Sequence, residues 1–183
     1  MSMYFIALIP PEDLKNGITE LKKEIANRFD SKHALRLPPH ITLQIPFNVN
    51  EEDENKFIKQ LEEFTKQHIP FRVVLSGFGS FNSKVIYIDV LHSRPIVELH
   101  EKLIEVTREF IEKKPEGEKK KMNPHITIAY RDLSKERFDE AWSEFSQRSF
   151  EAVFVAKSLF LFKHNGKSWD ILKELKMKKY ELE

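Results

Sequence analysis

The sequence contains no cysteine and only 5 glycines among 183 residues. The absence of cysteine excludes disulfides, a thiolate nucleophile and a zinc-thiolate site, and it fits a reducing compartment. The glycines form no Gly-x-x-x-x-Gly-Lys-Ser/Thr pattern, which excludes ATP chemistry through a phosphate-binding loop of that kind. A His-Glu-x-x-His motif and acidic clusters at ligand spacing are also missing, so we expect neither a metal site nor a cofactor.

Long apolar runs and an excess of charge of one sign are missing as well. No stretch approaches the length of a membrane span, and the apolar run from Met3 to Ile9 has no basic segment before it, unlike a signal peptide. The 30 Lys and Arg are balanced by 29 Asp and Glu, so any anion site must be local. We therefore expect a cytoplasmic protein with no membrane partner.

What is present is the composition of one globular domain, with 40% hydrophobic residues, 32% charged residues and 15 phenylalanines. The length suits a single domain over 1–183, or two lobes that share a core. Apolar spacing predicts helices over 11–29, 51–69, 94–114 and 134–148. It predicts strands over 3–9, 33–37, 40–47, 71–81, 84–92, 125–130, 150–164 and 167–177. Hairpins are expected through Asn82-Ser83 and Asn165-Gly166, and a charged loop over 112–123.

One tetrapeptide occurs twice, as Pro-His-Ile-Thr at 39–42 and again at 124–127. Each copy opens a strand, and each strand is followed by an amphipathic helix and then by a strand that starts with phenylalanine, at Phe71 or Phe150. We infer an internal duplication, with approximate halves 1–92 and 93–183.

Alternation along a strand places His40, Thr42 and Gln44 on one face, with the isoleucines and Leu43 on the core face. The same count places His125, Thr127, Ala129 and Arg131 together and Tyr130 opposite. If the repeats pack about a pseudo-two-fold axis, equivalent strands face one another across a groove and bring His40 near His125 and Thr42 near Thr127. One imidazole can then remove a proton and the other can supply one, while the threonine hydroxyls bind phosphate oxygens.

A single His-x-Thr on a strand is more often a solvated or structural pair than a catalytic one. Duplication reverses that preference, because strand entry gives no reason to keep histidine and threonine on the face away from the core. Two copies at equivalent places therefore favour a catalytic pair.

These residues resemble the 2H phosphoesterase superfamily, also described as 2'-5' RNA ligase and cyclic phosphodiesterase-like, whose signature is two His-x-Thr-x motifs. Here the motifs are His40 to Leu43 and His125 to Ile128. The resemblance implies an α+β, bilobal fold in which two antiparallel sheets with outer helices surround a central cleft. It also implies metal-independent action on 2',3'-cyclic phosphates or 2'-5' linkages, with His40 and His125 catalytic and Thr42 and Thr127 binding phosphate.

Other candidates surround the motifs. In bacterial RNA ligase-like members an arginine often follows the second motif and contacts phosphate; here Tyr130 comes first and Arg131 one residue later, so Arg131 is either a phosphate contact or a solvated arginine. Arg36 could approach the same cleft. Phe5, Phe78 and Phe81 are expected to pack in the core, with base stacking or cleft lining as the alternative. The lysines at 119–121 either attract a polyanion or are simply solvated.

The sequence therefore predicts a hydrolase that acts on a 2',3'-cyclic phosphate or 2'-5' phosphodiester in RNA ends or small nucleotides. A binding module that holds an RNA end or nucleotide without turnover is one alternative, and a ligase that joins RNA ends in the same cleft is another. No protein partner is implied, and we expect a monomer. The sequence does not say which histidine is the acid and which is the base.

Overall fold

The computed structural model describes residues 1–111 and 121–179, which form eight strands and four α-helices. The predicted loop over 112–123, with Lys119 and Lys120, lies largely outside the described residues. The strands are β1 (Ser2–Leu8), β2 (Ile41–Val49), β3 (Phe71–Phe81), β4 (Val85–Leu91), β5 (His125–Ala129), β6 (Glu151–Ala156), β7 (Ser158–His164) and β8 (Trp169–Lys176). The helices are α1 (Glu12–Phe29), α2 (Glu54–Lys66), α3 (Arg94–Thr107) and α4 (Lys135–Phe145).

The strands form one curled antiparallel sheet in the order β6-β3-β4-β5-β2-β1-β7-β8. The α+β class is confirmed. The two sheets that we expected are joined through one pair of residues, Ile41 of β2 opposite Ile126 of β5, so they form two halves of a single sheet. Each half takes strands from both ends of the chain, since β6 lies beside β3 while β7 lies beside β1. The proposed duplication with halves 1–92 and 93–183 stays a prediction.

The main core lies between the helices and one face of the sheet. On β1, Tyr4, Ile6 and Leu8 are buried in this core, whereas Phe5 and Ala7 belong to a small cluster on the other face. This is the alternation that a strand imposes on its side chains. The second face, which we call the inner face, therefore carries aromatic residues of its own beside the polar residues of the two motifs.

Both predicted hairpins are present. Asn82 and Ser83 have left-handed φ values of 51° and 52°, the geometry of a two-residue hairpin turn, and connect β3 to β4. Asn165 turns the chain between β7 and β8, where its Oδ1 accepts hydrogen bonds from the N–H groups of Lys167 and Ser168. The single strand predicted over 150–164 is interrupted at Lys157, which separates β6 from β7.

The predicted strand over 33–37 is wrong, because His33–Arg36 form a 3-10 helix. Both ends of this turn are held by side chains remote in sequence. The carboxylate of Asp132 accepts the backbone N–H groups of Lys32 and His33, each at 2.8 Å. Lys22 Nζ donates to the carbonyls of Ala34 and Leu37, at 3.0 and 3.1 Å. Tertiary contacts thus override the strand-like spacing of the segment.

No helix in the described part of the chain has the length and apolar character needed to cross a membrane.

Candidate active site

The two Pro-His-Ile-Thr motifs meet at the centre of the sheet. Because Ile41 lies opposite Ile126 in an antiparallel pair, His40 is placed across from Thr127, and Thr42 across from His125. We expected a groove with His40 near His125 and Thr42 near Thr127. The antiparallel register instead alternates the four side chains, so each imidazole has a hydroxyl on its own strand and another on the neighbouring strand.

Both histidines are held in the same way. The Nδ1 of His40 lies 2.8 Å from the carbonyl oxygen of Pro38, and the Nδ1 of His125 lies 2.6 Å from that of Asn123. A carbonyl oxygen can only accept, so Nδ1 carries the hydrogen in both rings. This contact fixes the tautomer and leaves Nε2 as the nitrogen that can take up or release a proton.

Aromatic side chains of the inner face position each imidazole. The His40 ring lies 5.5 Å from the Phe5 ring and 6.3 Å from the Phe162 ring. The His125 ring lies 5.0 Å from both Phe81 and Tyr87. Phe5 and Phe81 were expected to pack in the core. Phe5 is buried, but it also contacts a candidate catalytic ring. The core prediction for Phe81 is wrong, because its ring packs against His125 and Tyr87.

Gly79 explains how Tyr87 reaches His125. Gly79 lies opposite Tyr87 in the β3–β4 pair, and a Cβ added to Gly79 would come within 2.4 Å of the Tyr87 ring. The tyrosine ring therefore lies flat over the glycine, where no side chain other than hydrogen fits. Phe78, by contrast, packs edge-on against Phe145 in the core, as predicted.

A cavity of about 250 Å³ opens beside three of the four polar motif residues, and His125 is not among the residues that line it. Thr42, Thr127 and His40 line it together with Arg131 and Lys22. The remaining lining includes the aromatic rings of Phe5, Tyr130 and Trp169. A larger cavity of about 1090 Å³, lined by residues such as Lys66, Arg72 and Lys176, contains none of the motif residues. The smaller cavity has the polar groups that a phosphate ester requires.

The two histidines differ in their charged neighbours. Burial lowers the pKa of His40 to about 4, and the positive charges of Lys22 and His125 act in the same direction, against the hydrogen bond to Pro38. Burial also lowers the pKa of His125, but there the hydrogen bond to Asn123 and the negative charge of Asp89 oppose it. Asp89 is the residue opposite His125 in the β4–β5 pair. Burial thus disfavours the charged form of both imidazoles, most strongly that of His40, so His125 is the one of the two that holds a proton more readily.

The strict alternation of side chains between the two faces of the sheet ends after each motif, and it ends in the same way on both strands. The register shifts so that Gln44 lies opposite Ile6 and Ala129 opposite Ile86, on the core face. Gln44 is buried there and hydrogen-bonds the Thr107 hydroxyl at 2.9 Å. Our placement of Gln44 and Ala129 beside the histidines is therefore wrong, because each strand contains a bulge after its threonine.

The second bulge also changes the position of Tyr130, which lines the cavity and does not face away from it. Arg131 follows in a tight turn with a left-handed φ of 64°, outside β5. Its side chain lines the cavity, as the sequence suggested, although a turn and not strand parity brings it there. The guanidinium lies 5.5 Å from the centre of the Tyr130 ring, and Nη1 is 3.5 Å from His33 Nε2. Arg36 is close enough to act electrostatically on both His33 and Tyr130.

Sequence reasoning missed Lys22, Asp89 and Trp169. Lys22 is buried on the core-facing side of an amphipathic helix, where a lysine is not expected. Trp169 begins the second strand of a predicted hairpin, and nothing in the hairpin pattern marks it as a site residue. Asp89 stands within the apolar strand "KVIYIDVL", and this isolated charge was the one signal that could have been noticed. Among the described residues, no group of three or more His, Asp or Glu side chains is placed to hold a metal ion.

A curled antiparallel sheet with two His-x-Thr strands at its centre defines the class of two-histidine phosphoesterases. The model of the family described as 2'-5' RNA ligase superfamily matches residues 10–168, and the chain belongs to this family.

Relatives over the whole length agree with that assignment. The chain is 30% identical over 172 residues to a Bacillus licheniformis protein named "Putative phosphoesterase", covering 92% of this chain and 94% of the relative. A Geobacillus kaustophilus protein with the same description is 31% identical over 172 residues and covers 92% of each. These names support a hydrolase.

Solved structures share the fold. TT0787 of Thermus thermophilus superposes with a TM-score of 0.72 at 18% identity, covering 98% of this chain and 100% of that one. The apo form of LigT from E. coli gives a TM-score of 0.68 at 16% identity, with 97% and 98% covered. At these identities the comparison establishes the fold alone.

Proposed function

We propose that this protein is a phosphodiesterase that hydrolyses a 2',3'-cyclic phosphate or a 2'-5' phosphodiester at RNA ends or in small nucleotides. The observation that carries the proposal is the pair of imidazoles, each anchored through Nδ1, on adjacent central strands beside a cavity lined by Thr42 and Thr127. Neither proton transfer in this reaction requires a metal ion.

The burial and the charged neighbours of the two rings support one assignment of their roles. Neutral His40 accepts a proton from water through Nε2 as the water oxygen bonds to phosphorus. Protonated His125 donates its proton to the ribose oxygen as the bond from phosphorus to that oxygen breaks. One water is consumed, a phosphomonoester and a free hydroxyl are formed, and transfer of the proton back from His40 to His125 through solvent restores the starting state.

The remaining cavity residues suit the phosphate. The Thr42 and Thr127 hydroxyls donate to its non-bridging oxygens, and the Arg131 guanidinium balances part of the charge. Phe5, Tyr130 and Trp169 offer ring surfaces for a nucleobase. Among the related folds, LigT of E. coli has been crystallised with 3'-AMP, the kind of monoester that opening a cyclic phosphate yields.

The test is a substrate panel of 2',3'-cyclic nucleotides, an RNA ending in a cyclic phosphate and a 2'-5' dinucleotide, with products separated by chromatography. We expect turnover of at least one member, and the product isomer identifies the oxygen that leaves. Saturable binding without product from any member would contradict hydrolysis and favour the binding module. Formation of a longer RNA from two ends would instead favour the ligase.

A further inference from the structure

Lys22 is buried in α1, with a relative exposure of 2%, and it also lines the candidate catalytic cavity. Burial lowers the pKa of Lys22 to about 8, so the side chain is still mainly charged at neutral pH. Among residues 1–111 and 121–179, no carboxylate lies within ion-pair distance of its Nζ. A buried charge without a counter-ion is costly, and proteins keep such groups where a ligand supplies the opposite charge.

The hydrogen bonds of Lys22 leave one donor for a ligand. An ammonium group has three N–H bonds, and two of them are directed at the carbonyls of Ala34 and Leu37. These two contacts restrict the ammonium group to one place at the wall of the cavity. The third N–H has no partner among the described residues.

The position of Lys22 relative to the motifs is informative as well. Its charge is close enough to His40 to lower the pKa of that imidazole. The same cavity wall carries Thr42, Thr127 and Arg131. A tetrahedral oxyanion in this cavity would thus meet two hydroxyls, one guanidinium and one ammonium group.

We infer that Lys22 is a substrate-binding residue whose free N–H donates to a non-bridging oxygen of a phosphate group in the cavity. This inference deepens the proposed function and rests on it for the identity of the substrate, but anion binding can be measured without turnover. Burial is the main cause that lowers the pKa of His40, and the positive charge of Lys22 acts in the same direction, so the same side chain both binds the phosphate and favours the basic form of the imidazole.

The test uses inorganic sulfate, a tetrahedral dianion whose charge does not change near neutral pH. Sulfate should raise the melting temperature of the wild type relative to chloride at equal ionic strength, because it binds the folded state. In Lys22→Met we expect sulfate affinity to fall about 10- to 150-fold, the usual range for one hydrogen bond to a charged group. Lys23→Met is the matched control, since Lys23 is exposed and paired with Glu20.

Each outcome of the sulfate experiment either supports or overturns the role of Lys22 in anion binding. No sulfate effect on the wild type, or equal sulfate affinity in wild type and Lys22→Met, would overturn the inference and leave Lys22 as a helix-capping residue. Sulfate binding that depends on Lys22 in a protein that hydrolyses nothing would keep the inference and contradict the proposed function. If Lys22→Met does not fold, NMR of the wild-type lysine Nζ groups decides, with Lys22→Arg providing the assignment: sulfate must shift the Lys22 signal, and an unmoved signal refutes the site.

Discussion

Replacing Asp89 by Asn tests the electrostatic difference between the two histidines. As His125 is the proposed acid, kcat/KM should fall as pH rises through the pKa of His125, which lies below its ordinary value of 6.5. His40 is the proposed base, so kcat/KM should also fall as pH decreases through about 4. The profile is then bell-shaped, with its optimum on the acid side of neutrality.

The size of the effect follows from the register. Asp89 and His125 are directly opposite in an antiparallel pair, so their side chains share a face. For such cross-strand neighbours we take a charge separation of about 6 Å. Coulomb's law gives about 2.8 kcal/mol at an effective dielectric constant of 20 and about 0.7 kcal/mol at 80. Loss of the carboxylate should therefore lower the pKa of His125 by about 0.5 to 2 units and move the alkaline limb to lower pH by that amount.

The assay is kcat/KM for the best substrate of the panel, measured from about pH 3.5 to 9 in buffers of constant ionic strength. Asp139→Asn is the control, because Asp139 lies on the exposed face of α4 and pairs with Lys135. The acid limb should stay in place in both variants. An alkaline limb that does not move in Asp89→Asn, or moves to higher pH, would refute the assignment of His125 as the acid.

Three further changes have expected outcomes. Thr42→Val and Thr127→Val should each lower kcat by about 10²-fold with little change in melting temperature, as for loss of one donor to a developing oxyanion; unchanged kcat would count against phosphate contact. Gly79→Ala should cost about 1–3 kcal/mol in chemical denaturation, because the new Cβ collides with the Tyr87 ring, and a stability equal to wild type would contradict that contact. Asp132→Ala should cost about 1–3 kcal/mol at neutral pH, because it removes the charged acceptor of hydrogen bonds from Ser31, Lys32 and His33. Burial raises the pKa of Asp132, but its hydrogen bonds outweigh burial and lower it, so this cost should shrink as pH falls below 3.8; a difference independent of pH would refute the explanation.

The elements that were predictable from sequence are those whose signals are local. The helix over 11–29 and the hairpins through Asn82-Ser83 and Asn165-Gly166 depend on apolar spacing and turn chemistry within a few residues. The repeated tetrapeptide likewise carried its own evidence, and three of its four polar side chains, His40, Thr42 and Thr127, line one cavity.

The features that sequence could not supply depend on distant residues. The 3-10 helix at 33–36 is held by Asp132 and Lys22, which lie about 100 residues after it and 12 residues before it. The bulges that turn Gln44 and Ala129 into the core arise from pairing with β1 and β4. Periodicity along one strand contains no information about its partner's register, so these displacements were not predictable.

The roles of the two histidines likewise depend on distant residues and could not be predicted from the sequence. The two motifs are identical over four residues, and nothing in them distinguishes an acid from a base. The difference lies in the burial of each ring and in neighbours contributed by other elements, with Lys22 of α1 near His40 and Asp89 of β4 opposite His125. The repeated motif provides two equal imidazoles, and their surroundings make them unequal.

The most direct test of the central claim is hydrolysis of the best cyclic-phosphate substrate in EDTA by the wild type, His40→Ala and His125→Ala. His68→Ala is the matched control, because its Nδ1 also contacts a backbone carbonyl, that of Phe64 at 2.8 Å, away from the cavity. We expect full wild-type activity in EDTA, a loss of about 10²- to 10⁴-fold in each of the two motif variants, and no loss in the control. Loss of wild-type activity in EDTA, or wild-type turnover by either motif variant, would contradict catalysis by the histidine pair.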